Sequence, residues 1–295
     1  MNKALENVAH SQGLWSKTAD TLKARHETVR AIVFALSTSA ALLASISSQL
    51  DGRPRQVLAV LSTVCMGVVS FLAARLLDSS HSQAWVRARA ASEALKQHAY
   101  RRAALADPYD NPATADTLLI GEAAKILADV DDLSMQQADT GSSSAPIDVI
   151  STADYVDKRV TGQAEWHEQQ AVLARKSARR WRAIELGLAL LTAVITAVVG
   201  ALDKNQLGWF DFVALTAVLT TLSGTILAYI EASRYDFIVS TYRATARRLR
   251  IEESTAPSAT PPAPEWSAFV NRCESILQDQ NNSWVAKFSQ PPATS

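Results

Sequence analysis

The sequence predicts an all-α membrane protein with two transmembrane helical hairpins, which give four spans, and long cytoplasmic helical extensions that form a bundle. Two observations lead to this prediction. Four uncharged stretches occur in two closely spaced pairs, and each is about as long as the roughly 20 residues that a helix needs to cross a hydrocarbon core. The polar segments around them repeat apolar residues at helical spacing. The whole-chain mean hydropathy of zero hides this pattern, because polar flanks balance the apolar spans.

The predicted spans cover residues 31–50, 57–74, 186–202 and 212–230. The first is longer than the apolar region of a secretory signal peptide, and a second span follows it at once, so we interpret it as a retained helix. The third alone would also suit a buried soluble helix, but its pairing with the fourth favours a hairpin. No ionisable residue lies within a span, which disfavours transport through an intramembrane carboxylate.

Basic residues near the spans predict the orientation. The two short connectors carry only Arg53, Arg55 and Lys204. The outer flanks carry many more: Lys17, Lys23, Arg25, Arg30, Arg75, Arg87, Arg89, Arg175, Lys176, Arg179, Arg180, Arg182, Arg234, Arg243, Arg247, Arg248 and Arg250. Under the positive-inside rule both termini and the middle region are cytoplasmic. Trp181 and Trp209 fit an interfacial aromatic belt.

Composition and motifs exclude several function classes. The chain has 29 acidic and 29 basic residues, whereas nucleic-acid binders usually carry a basic excess. We find no glycine-rich phosphate loop, no paired Cys or His at metal spacing and no nucleophile elbow, so we expect neither an enzyme nor a cofactor. The five histidines, His167 among them, fall on charged segments and are expected on solvated helix faces.

The architecture repeats along the chain. Residues 1–131 and 152–290 each read as polar helix, hairpin, polar helix, and we predict two similar two-span modules. Residues 132–151 contain a Gly/Ser cluster without apolar periodicity and are predicted to be a flexible linker, and residues 291–295 form a tail.

The cytoplasmic segments carry apolar stripes that need partners. Aromatic residues mark them, and the candidate bundle positions are Trp85, Tyr235, Tyr242, Trp266 and Trp284. The simplest arrangement continues the membrane helices into the cytosol, where these faces pack together.

The spans also carry small and hydroxylated residues at four-residue spacing. The candidates for helix packing or pore lining are Ser37, Ala41, Ser45, Thr192, Thr196, Gly200, Thr216, Thr220 and Gly224. Small faces allow helix backbones to approach closely in lipid, which is the simpler interpretation. The alternative is that in an oligomer some of the hydroxyls line a water-filled path.

Two stretches carry a resemblance to a known family. In the C-terminal half it comprises "RYDFIVSTYRATARRL" at residues 234–249 together with Cys273, Glu274, Asn281, Trp284 and Phe288. In the N-terminal half it comprises "RARAASEALKQHAYRRAALADPYD" at residues 87–110, with Glu93, Lys96, Tyr100, Arg101, Pro108 and Tyr109. These features resemble SLATT domains, the SMODS and SLOG-associating two-transmembrane effectors, as two types in tandem. The family pattern differs at Tyr100, Gln280 and Phe288, where tryptophan, an acidic residue and tryptophan are commoner.

The resemblance implies a membrane effector of a bacterial conflict or defence system, which forms a pore or perturbs the membrane on a cytoplasmic signal. It implies no catalytic residues. The expected partners are the lipid bilayer, further copies of the chain in a homo-oligomer, and a nucleotide-signal sensor or synthase encoded nearby. The alternative function is a non-conducting membrane scaffold that recruits a soluble enzyme through its cytoplasmic helices.

Overall fold

The computed structural model describes residues 2–76, 79–134, 143–201, 212–257 and 260–289, and every regular element in these ranges is helical. The helices are α1 (Lys3–Ser48), α2 (Arg53–Leu76), α3 (Ser79–Ala103), α4 (Ala115–Ala128), α5 (Thr152–Asp154), a π-helical segment (Tyr155–Thr161), α6 (Gly162–Ala201), α7 (Phe212–Ser233), α8 (Tyr235–Ser254) and α9 (Ala263–Ser289). Lys204, Trp209, residues 135–142 of the predicted linker and the predicted tail lie outside the described residues. The predicted all-α class is confirmed.

Among the described residues four helices are long and apolar enough to cross a membrane, and they cover residues 31–48, 57–74, 186–201 and 212–230 of the predicted spans. Two of them also extend well beyond the span, since α1 has 46 residues and α6 has 40. Between α7 and α8 the helix is interrupted at Arg234, whose φ of 49° lies in the left-handed region that side chains with a Cβ rarely adopt. The polar extensions that precede the first and third spans are therefore continuous with them in α1 and α6, whereas the extension that follows the fourth span is separated from it by the break at Arg234.

The helices divide between two compact units. Of the described residues, the bundle unit takes those within Met1–Arg25, Ser79–Val172 and Val239–Pro291, and the span unit takes those within His26–Asp78 and Leu173–Ile238. Each unit draws on both halves of the sequence. The boundaries of the two sequence modules and the flexibility of the linker stay predictions.

The bundle unit has two buried clusters. The first joins the start of α1 to α3 and α4 around Leu5, Trp15, Leu95, Tyr109 and Leu119. The second joins the π-helical segment to α8 and α9 around Tyr155, Leu249, Trp266, Phe269 and Cys273. Burial of such large apolar side chains is the main term that stabilises this unit.

A buried hydrogen bond ties the two halves of the sequence together inside the bundle unit. The buried indole Nε1 of Trp266, on α9, donates to the carbonyl oxygen of Ala104, after α3, over 2.7 Å. Ala104 and Ala106 also belong to the second cluster. Residues that are 162 positions apart in sequence thus share one core.

The span unit is held by a few specific contacts. In the first hairpin, Ser62 Oγ of α2 donates to the Ala40 carbonyl of α1 over 2.9 Å, and Gly52 in the turn has a φ of +68°. An aromatic cluster joins α1, α6 and α7, with Phe34 and Tyr229 ring centroids 5.9 and 4.9 Å from that of Trp181. Trp181 therefore packs within its unit as well as lying at the end of a predicted span.

Candidate functional site

The nine residues predicted to pack or line a pore lie on α1, α6 and α7 of the span unit. Ser37, Ala41, Ser45, Thr192 and Thr216 are partly buried within the chain, whereas Thr196, Gly200, Thr220 and Gly224 are exposed. The buried face of α7 is instead apolar and comprises Val218, Leu219, Ile226 and Ile230. The small and hydroxylated face of α7 is thus largely left outside the packing of a single chain, and its role stays a prediction.

The hydroxyl groups on these faces bond to their own helices. Thr220 Oγ1 donates to the Thr216 carbonyl over 2.9 Å, and Thr196 Oγ1 donates to the Thr192 carbonyl over 2.8 Å. Because the hydroxyl proton is used within the helix, each oxygen retains lone pairs that can act as acceptors.

The predicted bundle aromatics separate into three places. Trp85, Tyr242 and Trp284 come together, with ring centroids 5.6 Å apart for Trp85 and Trp284 and 6.3 Å apart for Tyr242 and Trp284. Trp266 lies in the second cluster against Tyr155, with centroids 5.4 Å apart. Tyr235 belongs to the span unit.

A buried ion pair lies in the bundle unit. Arg159 of the π-helical segment donates from Nε and Nη2 to the two carboxylate oxygens of Glu274 on α9, over 2.9 and 2.7 Å. Tyr155 donates its hydroxyl to the same carboxylate over 3.0 Å, and the guanidinium lies 4.3 Å from the centroid of the Tyr100 ring. The two charged side chains are 1% and 0% exposed. This bidentate geometry with an aromatic contact is what a buried charge pair requires.

The surroundings of this pair keep both Arg159 and the neighbouring Tyr155 protonated. Burial opposes protonation of Arg159, but the Glu274 carboxylate outweighs it and the pKa of Arg159 is raised above its ordinary value. Burial, followed by the Glu274 charge, raises the pKa of Tyr155 well above its usual value, so the phenol stays a hydrogen-bond donor. The sequence contained no sign of Arg159 or Tyr155, since neither burial nor pairing over more than a hundred residues is visible in it.

A cavity of about 390 Å³ opens in the bundle unit between residues of α1, α3, α6, α8 and α9. Its size falls in the range of roughly 300–1,000 Å³ that is typical of small-molecule sites. Aromatic side chains form part of its wall, namely Trp85, Trp166, Tyr242 and Trp284. Amide side chains form another part, namely Gln163, Gln170, Gln280 and Asn281.

His167 lines the same cavity and is 2% exposed. Its Nδ1 lies 2.7 Å from the Gln163 carbonyl oxygen, which can only accept, so Nδ1 carries the proton. Burial lowers the pKa of His167 and keeps the ring neutral. The expectation of a solvated face was wrong for this histidine, because α6 begins inside the bundle unit, where Tyr242 packs against the imidazole with centroids 5.2 Å apart.

Charged side chains complete the lining. They are Asp20, Lys23, Arg89, Glu93 and Lys96. Burial opposes ionisation of Glu93, but Arg89 and Lys96 outweigh it, so the pKa of Glu93 is lowered and the carboxylate stays charged. Burial, with Arg159 next, lowers the pKa of Lys96 from 10.5 to about 8. Among the described residues no group of His, Cys, Asp and Glu has the arrangement of a metal site.

These observations define the chain as an all-α, multi-pass membrane protein that has a polar helical bundle unit as well as its membrane spans. Residues 155–284 match the family model described as SMODS and SLOG-associating 2TM effector domain 1. This match supports a SLATT domain in the second half of the chain, whereas the tandem of two types stays a prediction. Residues 12–117 match the family described as protein of unknown function DUF4231. Searches of curated proteins and of solved structures found no match.

Proposed function

We propose that this protein is a membrane effector of a bacterial conflict system that opens a path for ions when a cytoplasmic signal acts on the bundle unit. The observation that carries the proposal is the match of residues 155–284, which include α7, to a two-transmembrane effector domain. The four candidate spans provide the membrane part. The chain acts without catalysis, and its signal comes from a nucleotide-signal sensor or synthase encoded nearby.

The positions of the basic residues support an orientation with both termini in the cytoplasm of the cell, across the inner membrane. In this orientation the bundle unit faces the compartment in which the signal is made.

The exposed faces of the spans support assembly into a homo-oligomer. In α2 and in α6, the most apolar stretch of 18 residues has no residue buried within the chain. These helices therefore have surface available for lipid or for another subunit. On α7, Thr220 and Gly224 lie on the exposed small-residue face that suits close helix packing. The hydroxyl oxygens of these threonines can also accept hydrogen bonds from water. Such oxygens suit a path for hydrated cations, because the oxygens are polar but do not bind ions tightly.

The test measures membrane potential in cells that express the protein with its genomic neighbours. We expect depolarisation on activation, and we expect the double variant Thr216→Leu, Thr220→Leu to abolish it while retaining membrane insertion. An unchanged membrane potential under every activating condition would contradict the proposal.

The matched control is Thr221→Leu, Thr225→Leu. These threonines have the same four-residue spacing and the same hydrogen bonds to their own helix, over 2.9 and 2.8 Å. At about 100° per residue they lie about 100 to 180° around α7 from the Thr216 and Thr220 positions. Equal loss of conduction in both double variants would show that hydrophobic substitution, and not the face, is responsible.

A scaffold that recruits a soluble enzyme through the bundle unit predicts a different result. Replacement of the spans by unrelated hydrophobic helices would leave a scaffold working but would stop a pore. Retained defence activity in such a chimera would favour the scaffold.

A further inference from the structure

The cavity in the bundle unit contains a cation, Lys96, that lacks a direct hydrogen bond or ion pair among the described residues, although the Glu93 and Glu274 carboxylates act on it at longer range. Two carboxylates line it, and Arg89 serves both, since its guanidinium nitrogens lie 3.0 Å from Glu93 Oε1 and 3.9 Å from Asp20 Oδ1. Lys96 makes no hydrogen bond or ion pair with any residue that the structure describes. With Lys23 included, the lining carries three cationic and two carboxylate side chains.

Lys96 is also buried, with 9% of its surface exposed. Buried charges in folded proteins are ordinarily paired or hydrogen-bonded, because the loss of hydration is otherwise uncompensated. The lowered pKa of about 8 reflects that loss and still leaves the ammonium group mostly protonated at neutral pH. An anion that enters the cavity would supply the missing partner.

The remaining lining residues indicate what the rest of the anionic molecule is like. Trp85, Trp166 and Tyr242 offer flat apolar surfaces, while Gln280 and Asn281 offer both donors and acceptors. The buried Nε1–H of Trp284 has no hydrogen-bond partner among the described residues, although the ring lines the cavity. A planar ring with polar edges can pack against the aromatic faces and also form hydrogen bonds with the amide and indole groups.

We propose that this cavity binds a small organic anion that carries a planar, hydrogen-bonding ring. The anionic group lies on Lys96 Nζ and the ring lies against Tyr242 and Trp284. This inference extends the proposed function. The role of the bound anion as the cytoplasmic signal rests on that function. Binding itself is measured without reference to conduction, so that either can fail alone.

The experiment is calorimetric titration of the full-length protein in lipid nanodiscs with pairs of planar compounds that differ in charge. The anions are adenosine monophosphate, orotate and indole acetate, and their neutral counterparts are adenosine, uracil and indole acetamide. We expect at least one anion to bind about tenfold more tightly than its neutral counterpart, as loss of a charge-assisted hydrogen bond implies.

Variants of Lys96 connect this preference to the cavity. Lys96→Met should weaken binding of the anion about tenfold, to the level of the neutral compound, whereas Lys96→Arg should retain most of the preference. The matched control is Lys125→Met, since Lys125 is 74% exposed on α4 and does not line the cavity. The proposal is overturned if no anion binds more tightly than its neutral counterpart, or if Lys96→Met binds the anion as the wild type does.

Discussion

Replacing the buried Lys96 by methionine should stabilise the bundle unit at neutral pH. The environment of Lys96 lowers its pKa from 10.5 to about 8, chiefly through burial and then through Arg159. Since each pH unit by which a pKa is displaced corresponds to about 1.4 kcal/mol, the charged lysine costs the folded protein about 3 kcal/mol. Methionine has a similar length, fits irregular spaces and carries no charge, so the variant avoids this cost.

The pH dependence has a defined sign. Below about pH 8 Lys96 is protonated in the folded and the unfolded chain, and the full cost is present. Between about pH 8 and 10.5 the unfolded chain binds the proton more strongly, so the stability of the wild type rises with pH relative to that of the variant. Above 10.5 the advantage of the variant is lost. The charges that act on Lys96 are those of Arg159, Glu93, Arg89 and Glu274.

The assay is thermal unfolding in detergent micelles, followed by tryptophan fluorescence. For a unit of this size about 3 kcal/mol corresponds to a rise in Tm of about 6 to 12 °C at neutral pH. Lys125→Met removes an exposed lysine that pairs with Glu122 over 2.8 Å, and it should leave Tm nearly unchanged. A Tm of Lys96→Met equal to that of the wild type at neutral pH, or an advantage that persists at alkaline pH, would refute the reasoning.

Two further substitutions test the interior of the bundle unit by chemical unfolding. Glu274→Gln leaves Arg159 buried without its counter-charge and should lower the free energy of unfolding by about 3–5 kcal/mol. Replacing both residues by methionine should lower the free energy of unfolding by less. An unchanged stability of the single variant would contradict the buried pair. Trp266→Phe removes the donor to the Ala104 carbonyl and should cost about 1–3 kcal/mol, and a loss of a few tenths would show that this bond contributes little.

Much of the fold was predictable, because its signals are local. An uncharged stretch of sufficient length identifies a span without reference to any other part of the chain. Nearly all of each predicted span lies in a helix that meets the length and hydropathy expected of a span. The break at Arg234 was not predictable, since the residues on both sides of it favour helix.

The candidate site was predicted only in fragments. Glu93, Lys96 and Glu274 were noted only as positions of the family resemblance, with no role, whereas Trp284 was also predicted as a bundle position. Their roles depend on Arg159, which provides the buried partner of Glu274 and also contributes to the lowered pKa of Lys96. A residue's pairing is decided by side chains that other segments bring to it, and a single sequence does not record that.

The sequence by itself determined that this chain is helical and that four of its segments suit a bilayer, because length, charge and apolar periodicity act within one segment at a time. The tertiary structure alone decided that both halves share one bundle, that Trp266 bonds across them, and that Lys96 lines a cavity without a hydrogen bond or ion pair to a described residue. The physical reason is that burial and electrostatic pairing arise between segments far apart in the chain, and only folding brings them into contact.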